Sequence, residues 1–255
     1  MKSKVRFSII TPTLNSQKYI SKNIKSVLRQ SYKNYEQIIV DGKSSDNTIN
    51  KINKLKNGKI KIIEKKDKNL WHAINRGIKI SKGEIICILN SDDFFYKDAL
   101  KTINKYFRKH KKLDYIFGAV EKKNRILYRL EKNKIFYKFN VYPSHSVSFF
   151  VKKKIHKKIG LYNLDYAFCS DYDFFFKLFS SKNFYGMNTK KNEVIGYFRS
   201  GGISESVSFV KKLFYEFKIR YENKQNILFL IILFFLLILN KYRNLLIKNL
   251  FIKKI

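Results

Sequence analysis

Proline and glycine are scarce in this chain, 2 and 10 among 255 residues, which excludes a collagen-like or linker-rich architecture. Cysteine is as thin. Cys87 and Cys169 form no C-x-x-C pair and have no neighbouring Cys or His, so no zinc pattern exists and buried thiols of a reducing compartment are expected. Acidic residues are outnumbered 19 to 54, leaving a net charge of +35. That excess is spread along the chain: residues 207–255 carry ten Lys/Arg and two Glu, a net of +8. A dedicated nucleic-acid patch would be more concentrated, so nucleic acid is not the expected partner, although salt-sensitive attraction to phosphate-rich surfaces remains. No signal peptide is expected, because the first apolar run is short and is interrupted at Pro12.

What is present is a globular composition, 45% hydrophobic and 16% aromatic, which excludes a largely disordered protein. The first half alternates. Val5 to Thr11 reads as a strand, and Ile20, Ile24, Val27 and Leu28 then recur at helical spacing. Tyr35 to Val40 is a second strand, Ile49, Ile52 and Leu55 mark a helix, and Lys59 to Glu64 is a third strand. Leu70, Ala73, Ile74 and Ile78 predict a helix ending near Gly83, and Glu84 to Leu89 a buried strand. Such alternation predicts an α/β fold with a mostly parallel central sheet flanked by helices, and ligands beyond the carboxyl ends of its strands. Thr11-Pro12-Thr13, Asp41 and Asp92-Asp93 all fall at those ends.

The second half is less regular. Ile126 to Leu130, Ser146 to Val151 and Glu193 to Phe198 read as strands, and Asp171 to Phe179 as an aromatic helix. Val207 to Tyr221 is an amphipathic helix candidate, followed by the uninterrupted apolar run Ile227 to Leu239. As a helix that run is about 20 Å long, short of the roughly 30 Å hydrocarbon core. Lysines and arginines flank it on both sides, so a helix lying in the cytoplasmic leaflet is expected rather than a span; a core helix closing the domain is the alternative.

Asp92 and Asp93 offer hard oxygen ligands suited to Mg²⁺ or Mn²⁺, with positions left open for phosphate, although adjacent aspartates also serve as ordinary turn or cap residues. Ser8-Ile9-Ile10-Thr11-Pro12-Thr13-Leu14-Asn15 resembles the opening strand of family 2 glycosyltransferases. Val40-Asp41-Gly42-Lys43-Ser44-Ser45-Asp46-Asn47-Thr48 is similar to their D-G-x-S-x-D-x-T motif, and Leu89-Asn90-Ser91-Asp92-Asp93 stands in place of their D-x-D. Ala73-Ile74-Asn75-Arg76-Gly77 and Gly83-Glu84-Ile85-Ile86 match the approach to it. Order and spacing agree through about residue 118.

The resemblance implies a GT-A (nucleotide-diphospho-sugar transferase) fold over residues 1–205, with a nucleotide-binding half (1–118) and an acceptor half (119–205); the change of character after Ser206 marks off a C-terminal helical, membrane-associating segment over 206–255. It implies that Asp41 meets the nucleobase, that Thr11 and Thr13 line its pocket, and that Pro12, Asn15 and Asn75 complete the donor site. Asp92 would face ribose or diphosphate, and Asp93 would ligate Mn²⁺ or Mg²⁺. Two positions depart from the pattern: Asn90 replaces the first Asp of D-x-D, and His72 replaces an acid before Ala-Ile-Asn.

Further on, Pro143 to Phe150 looks like the family's P-x-H-x-x-x-F segment, and Ser170-Asp171-Tyr172-Asp173 like the stretch carrying the general base, placed at Asp171 with Asp173 competing. His145 is either a donor or acceptor contact or a structural histidine. Trp71 reads as core or pocket wall, and Gly201-Gly202-Ile203-Ser204 as a closing loop or an ordinary turn. His110 and His156, among lysines, read as solvated.

The implied activity is inverting transfer of a sugar from a nucleoside-diphosphate sugar to a saccharide or lipid-linked acceptor, in cell-envelope assembly on the inner face of the cytoplasmic membrane. A nucleotidyltransferase would need a Gly-rich phosphate loop that Thr11-Pro12-Thr13-Leu14-Asn15 lacks. A basic nucleic-acid module or a catalytically silent scaffold are the alternatives from other classes.

Overall fold

The computed structural model describes residues 6–128, 145–166, 168–202 and 207–252. The first half builds as alternation requires: β1 (Phe7–Thr13), α1 (Ile20–Leu28), β2 (Tyr35–Asp41), α2 (Thr48–Leu55), β3 (Ile60–Glu64), α3 (Leu70–Ile80) and β4 (Ile85–Ile88). Then come β5 (Phe94–Phe95), α4 (Ala99–Lys109), β6 (Tyr115–Phe117), β7 (Ala119–Lys122) and β8 (Arg125–Leu127). The second half holds β9 (Phe149–Lys152), α5 (Lys153–Ile159), α6 (Ser170–Ser180), β10 (Gly186–Asn188), β11 (Val194–Tyr197), α7 (Phe209–Glu222) and α8 (Ile227–Ile252).

A seven-stranded sheet runs in the order β10-β6-β9-β4-β1-β2-β3. All pairs among β1 to β4 are parallel, as is β6 with β10; β9 alone runs antiparallel, between β4 and β6. Strand periodicity sends alternate residues to opposite layers. Phe7, Ile9, Ile85, Cys87, Ile116 and Phe150 face one core with α4. Ile10, Ile86, Ile88, Tyr115, Phe117, Phe149 and Val151 face another, packed by α3 and the aromatic α6. Because both faces are covered, these strands read as near-continuous apolar runs. A second sheet, β5-β11-β7-β8, lies at the strand ends.

Close approach decides the α3–β4 connection. A Cβ on Gly83 would lie 2.5 Å from the backbone N of Ser8, and Gly83 N–H donates to Ser8 Oγ at 2.8 Å. Ser8 Oγ in turn donates to the buried Glu36 at 2.6 Å, which also takes Lys61 Nζ at 2.8 Å. Burial works to raise the proton affinity of Glu36, but the hydrogen bonds from Lys61, Ser8 and Lys82 N–H prevail and hold its carboxyl below the ordinary range.

Several expectations shift. The strand expected over Ser146 to Val151 begins as a 3-10 turn, Ser146–Ser148, and extends only from Phe149. The strand expected over Ile126 to Leu130 is β8, and residues 129 and 130 lie outside the described residues, as do Pro143 and Ser144. The helix begun by Ile227 does not stop at Leu239 but runs 26 residues to Ile252. Among the described residues no helix is long and apolar enough to cross a membrane. His156 is not solvated. It is 5% exposed, packs on Phe174 with ring centroids 4.7 Å apart, and burial pulls its pKa down to about 4. The lysines around it mark the outer face of a short helix whose inner face holds Ile155 and His156.

Gly83→Ala is expected to cost about 1–3 kcal/mol of stability, since the clashing partner is backbone and cannot rotate away. Urea unfolding of the two proteins measures it.

Candidate active site

The parallel register puts the expected residues on one edge. Thr13 pairs with Asp41, and Asp41 with Glu64, at the carboxyl ends of β1, β2 and β3. Beyond β1 the chain turns through Asn15 at φ 48°, a left-handed conformation that Asn tolerates well. Asn15 fastens the β1 loop to the β2 loop: its N–H donates to Ser44 Oγ, and its Oδ1 accepts from Ser45 N–H, both at 2.9 Å. Asp41 is fully buried, and both its oxygens accept from Ser44, from N–H at 2.8 Å and from Oγ at 2.5 Å. Its first task is therefore to fold this turn. Thr13 Oγ1 is buried with no partner among the described residues, while Thr11 Oγ1 accepts from Gln37 Nε2 at 3.0 Å.

The acidic loop after β4 is held from behind by Asn23. This buried side chain on α1 donates from Nδ2 to Asn90 O at 2.8 Å and to Asp93 O at 3.0 Å, and Gln37 Nε2 donates to its Oδ1 at 3.0 Å. The two adjacent aspartates are treated differently. Asp93 is 1% exposed; its Oδ1 accepts from Arg199 N–H at 2.9 Å, and its buried Oδ2 has no hydrogen-bond donor in range among the described residues. Burial above all, and then the charge of Asp92, push the Asp93 carboxyl well above the ordinary range. Asp92 is partly exposed, with Arg199 Nε 3.2 Å from its Oδ2. The Arg199 guanidinium also lies 4.2 Å above the Tyr19 ring.

Asn75, expected at the donor, is turned elsewhere. Its Nδ2 donates to Tyr162 O at 2.7 Å and its Oδ1 accepts from Tyr162 N–H at 3.0 Å, so the amide is consumed in clamping α3 to the acceptor half. Trp71 stacks on Tyr162 at 5.1 Å and belongs to the buried core beneath the sheet. Tyr162 stacks in turn against Phe174 of α6 at 4.9 Å. On that helix the two candidate bases part. Asp173 is 1% exposed and engaged by Lys177 Nζ at 2.6 Å and Asn223 Nδ2 at 2.9 Å. Asp171 is half-buried in the first turn, its Oδ1 accepting from Tyr172 N–H at 2.9 Å. His145 stacks on Phe198 with ring centroids 3.4 Å apart. His72 Nδ1 lies 3.2 Å from Asp67 Oδ1, which also pairs with Arg76.

The profile of Glycosyl transferase family 2 matches residues 8–182, from β1 through α6. The chain belongs to that family. Among its curated relatives is a PGL/p-HBAD biosynthesis glycosyltransferase of Mycobacterium bovis, 29% identical over 219 residues that span 81% of this chain and 83% of the relative. An uncharacterized glycosyltransferase of Rickettsia typhi is 29% identical over 191 residues, 70% of this chain and 60% of that one. Among solved structures, S. aureus TarS 1-349 superposes with a TM-score of 0.66 at 20% identity, covering 84% of this chain and 65% of that chain. The mannosyltransferase PcManGT of Pyrobaculum calidifontis, in complex with GDP-Man and Mn²⁺, gives 0.61 at 16%, covering 85% and 61%. This family 2 glycosyltransferase therefore has the GT-A fold, with a mostly parallel sheet flanked by helices.

Three participants escaped sequence reasoning: Asn23, Gln37 and Arg199. Asn23 left a signal, as a polar residue at the apolar spacing of Ile20, Ile24 and Val27. Arg199 left none, since 106 residues separate it from Asp93. For the buried network, Asn23→Leu and Gln37→Leu are each expected to cost about 1–3 kcal/mol by stranding polar partners. Their double mutant should depart from additivity by at least about 0.5 kcal/mol in urea melts.

Proposed function

We propose that this glycosyltransferase moves a sugar from a nucleoside-diphosphate sugar to an acceptor hydroxyl by a single displacement with inversion. The observation that carries this reading is the pairing of two acidic elements on one scaffold. Asp92 and Asp93 stand at the carboxyl edge of the sheet, and the half-buried Asp171 opens the helix packed against its acceptor side. In support, solved proteins of this fold include TarS in complex with UDP-GlcNAc and PcManGT in complex with GDP-Man and Mn²⁺.

The loop residues fit a divalent cation. Asp92 offers a partly exposed carboxylate, and Asp93 Oδ2 is a buried oxygen without a donor among the described residues. Mg²⁺ or Mn²⁺ can be held by one or two carboxylates together with substrate phosphates. When bound, the ion would neutralise the departing diphosphate. Thr11, Pro12 and Thr13 shape the floor of the donor site, and Asn15 and Asp41 fix the two loops around it. Arg199 offers a guanidinium to Asp92 or to a phosphate placed there, and His145, stacked on the neighbouring Phe198, is a further donor or acceptor contact. Asp171 takes the proton of the acceptor hydroxyl as that oxygen attacks. Asp173, held in its ion pair, keeps a structural role.

Residues 1–205 form the catalytic body in this reading and 206–255 the membrane-associating segment. One side of α8 packs Leu233 and Phe234 against Leu213 and Phe217 of α7. The other leaves Leu228, Ile232, Phe235, Leu236 and Leu239 between 57% and 68% exposed, a continuous helical stripe. An apolar stripe on so basic a chain fits the anionic inner face of the cytoplasmic membrane and a lipid-linked or saccharide acceptor in envelope polysaccharide or lipopolysaccharide assembly.

Asp92→Asn and Asp171→Asn should each lower turnover by about 10²-fold or more with melting temperature retained. A thermal-shift screen of UDP-, GDP-, CMP- and dTDP-sugars with and without Mn²⁺ identifies the donor first; a shift in wild type that needs no metal and survives Asp92→Asn would sink the site. For the membrane, Ile232→Asp combined with Phe235→Asp should abolish co-sedimentation with vesicles containing phosphatidylglycerol. Unchanged sedimentation of that variant would contradict the proposed surface.

A further inference from the structure

Helix α7 reaches the start of α6 in an ordered series of contacts. Asn223, just past its end, donates to Asp173 Oδ1 at 2.9 Å, and Arg220 Nε donates to Tyr172 Oη at 2.6 Å. Tyr215 meets Phe168 edge to face at 4.9 Å. Residue 216 stands one turn before Arg220, on the same side of the helix. Glu216 therefore falls opposite the stretch between Phe168 and Tyr172, where Asp171 lies.

Its setting is that of a strained acid. Glu216 is half-buried, and its carboxyl is pushed up to about 7 by burial first and then by the negative charge of Asp171, against the pull of Arg220 and Lys212. The groups facing it are Cys169, Asp171 and Tyr172 from the α6 side, and Lys212 and Arg220 from its own helix. Two carboxylates sharing a poorly solvated pocket resist ionising together, so the charge on one makes the other a stronger base.

We propose that Glu216 is a positioning residue for the transfer step, its carboxylate facing Asp171 from α7 and strengthening that residue's hold on the acceptor proton. This rests on Asp171 being the base. In the step, the acceptor O–H bond breaks as its oxygen bonds to the anomeric carbon. The bond from that carbon to the diphosphate oxygen breaks, and the proton passes to Asp171. Glu216 touches neither sugar and acts only through its charge. Once it is protonated that charge is gone, so turnover falls as pH drops through the apparent values of the pair.

The test follows donor hydrolysis, with water as acceptor, from pH 5.5 to 9 in the full chain, using the sugar nucleotide selected by the thermal-shift screen. Glu216→Gln should lower kcat about three- to tenfold at pH 8, leave the donor KM unchanged and move the acid limb down by about one pH unit. Glu216→Asp should restore part of the loss. Because Glu216 holds its proton more tightly folded than unfolded, its ionisation costs stability as pH rises from its ordinary range toward 7. Glu216→Gln should accordingly melt above wild type at pH 8 and level with it near pH 4, which separates a folding defect from the kinetic effect. An unmoved acid limb in Glu216→Gln, with Asp171→Asn inactive, overturns the role of Glu216 alone. Full activity in Asp171→Asn overturns the base assignment beneath it.

Discussion

The side-chain amide of Asn23 joins helix α1 to the acidic loop by donating to two backbone carbonyls, those of Asn90 and Asp93, while accepting from Gln37 on β2. Asn23 and Gln37 are fully buried, and a buried polar group left unpaired costs about 1–3 kcal/mol. The loop therefore cannot drift without breaking bonds in α1 and β2 at once. Thr11 joins the same network through Gln37, and Ser16 reaches Ser91 at 2.8 Å. The edge that carries the aspartates is rigid because its hydrogen bonds are shared among elements already fixed by the sheet. Upon it two carboxylates are brought together, one buried and one partly exposed, with Arg199 supplying positive charge from a distant segment.

The acceptor side is tied to this edge through Tyr162. Asn75 takes both the N–H and the C=O of that residue, and the Trp71–Tyr162–Phe174 stack carries the registration into α6. Placement of the candidate base is thus referenced to α3, and through α3 to the sheet. On its other side α6 meets α7, whose Arg220 is fully buried against Tyr172 and Phe176. An arginine so placed is satisfied by a hydroxyl, a side-chain amide from Gln225 and aromatic faces. Since α7 also packs α8, the C-terminal helices are continuous in packing with the helix that bears Asp171.

Local signals made much of this legible. In the first half each helix shows one apolar stripe at 3.6 spacing, and the central strands, covered on both faces, show as short continuous apolar runs between them, so β1 to β4 and α1 to α3 could be placed from the sequence. The second half resisted. Its strands β6, β7 and β10 are three or four residues long, α5 is lysine-rich, and β9 joins the sheet in the opposite direction. Short elements stabilised by long-range pairing carry little pattern of their own.

For the site, sequence alone determined the residue types and their order: Thr11 to Thr13, Asp41, Asp92 with Asp93, and Asp171, each at a strand end or helix start. Only the tertiary structure decided what each can do. It buried Asp93 and left Asp92 open, gave Asn75 to Tyr162, engaged Asp173 in an ion pair, and brought Arg199 and Glu216 in from the far end of the chain. The physical reason is that role follows from desolvation and from which neighbour completes a hydrogen bond or opposes a charge. Those quantities are set across space, between residues that share no spacing in the chain.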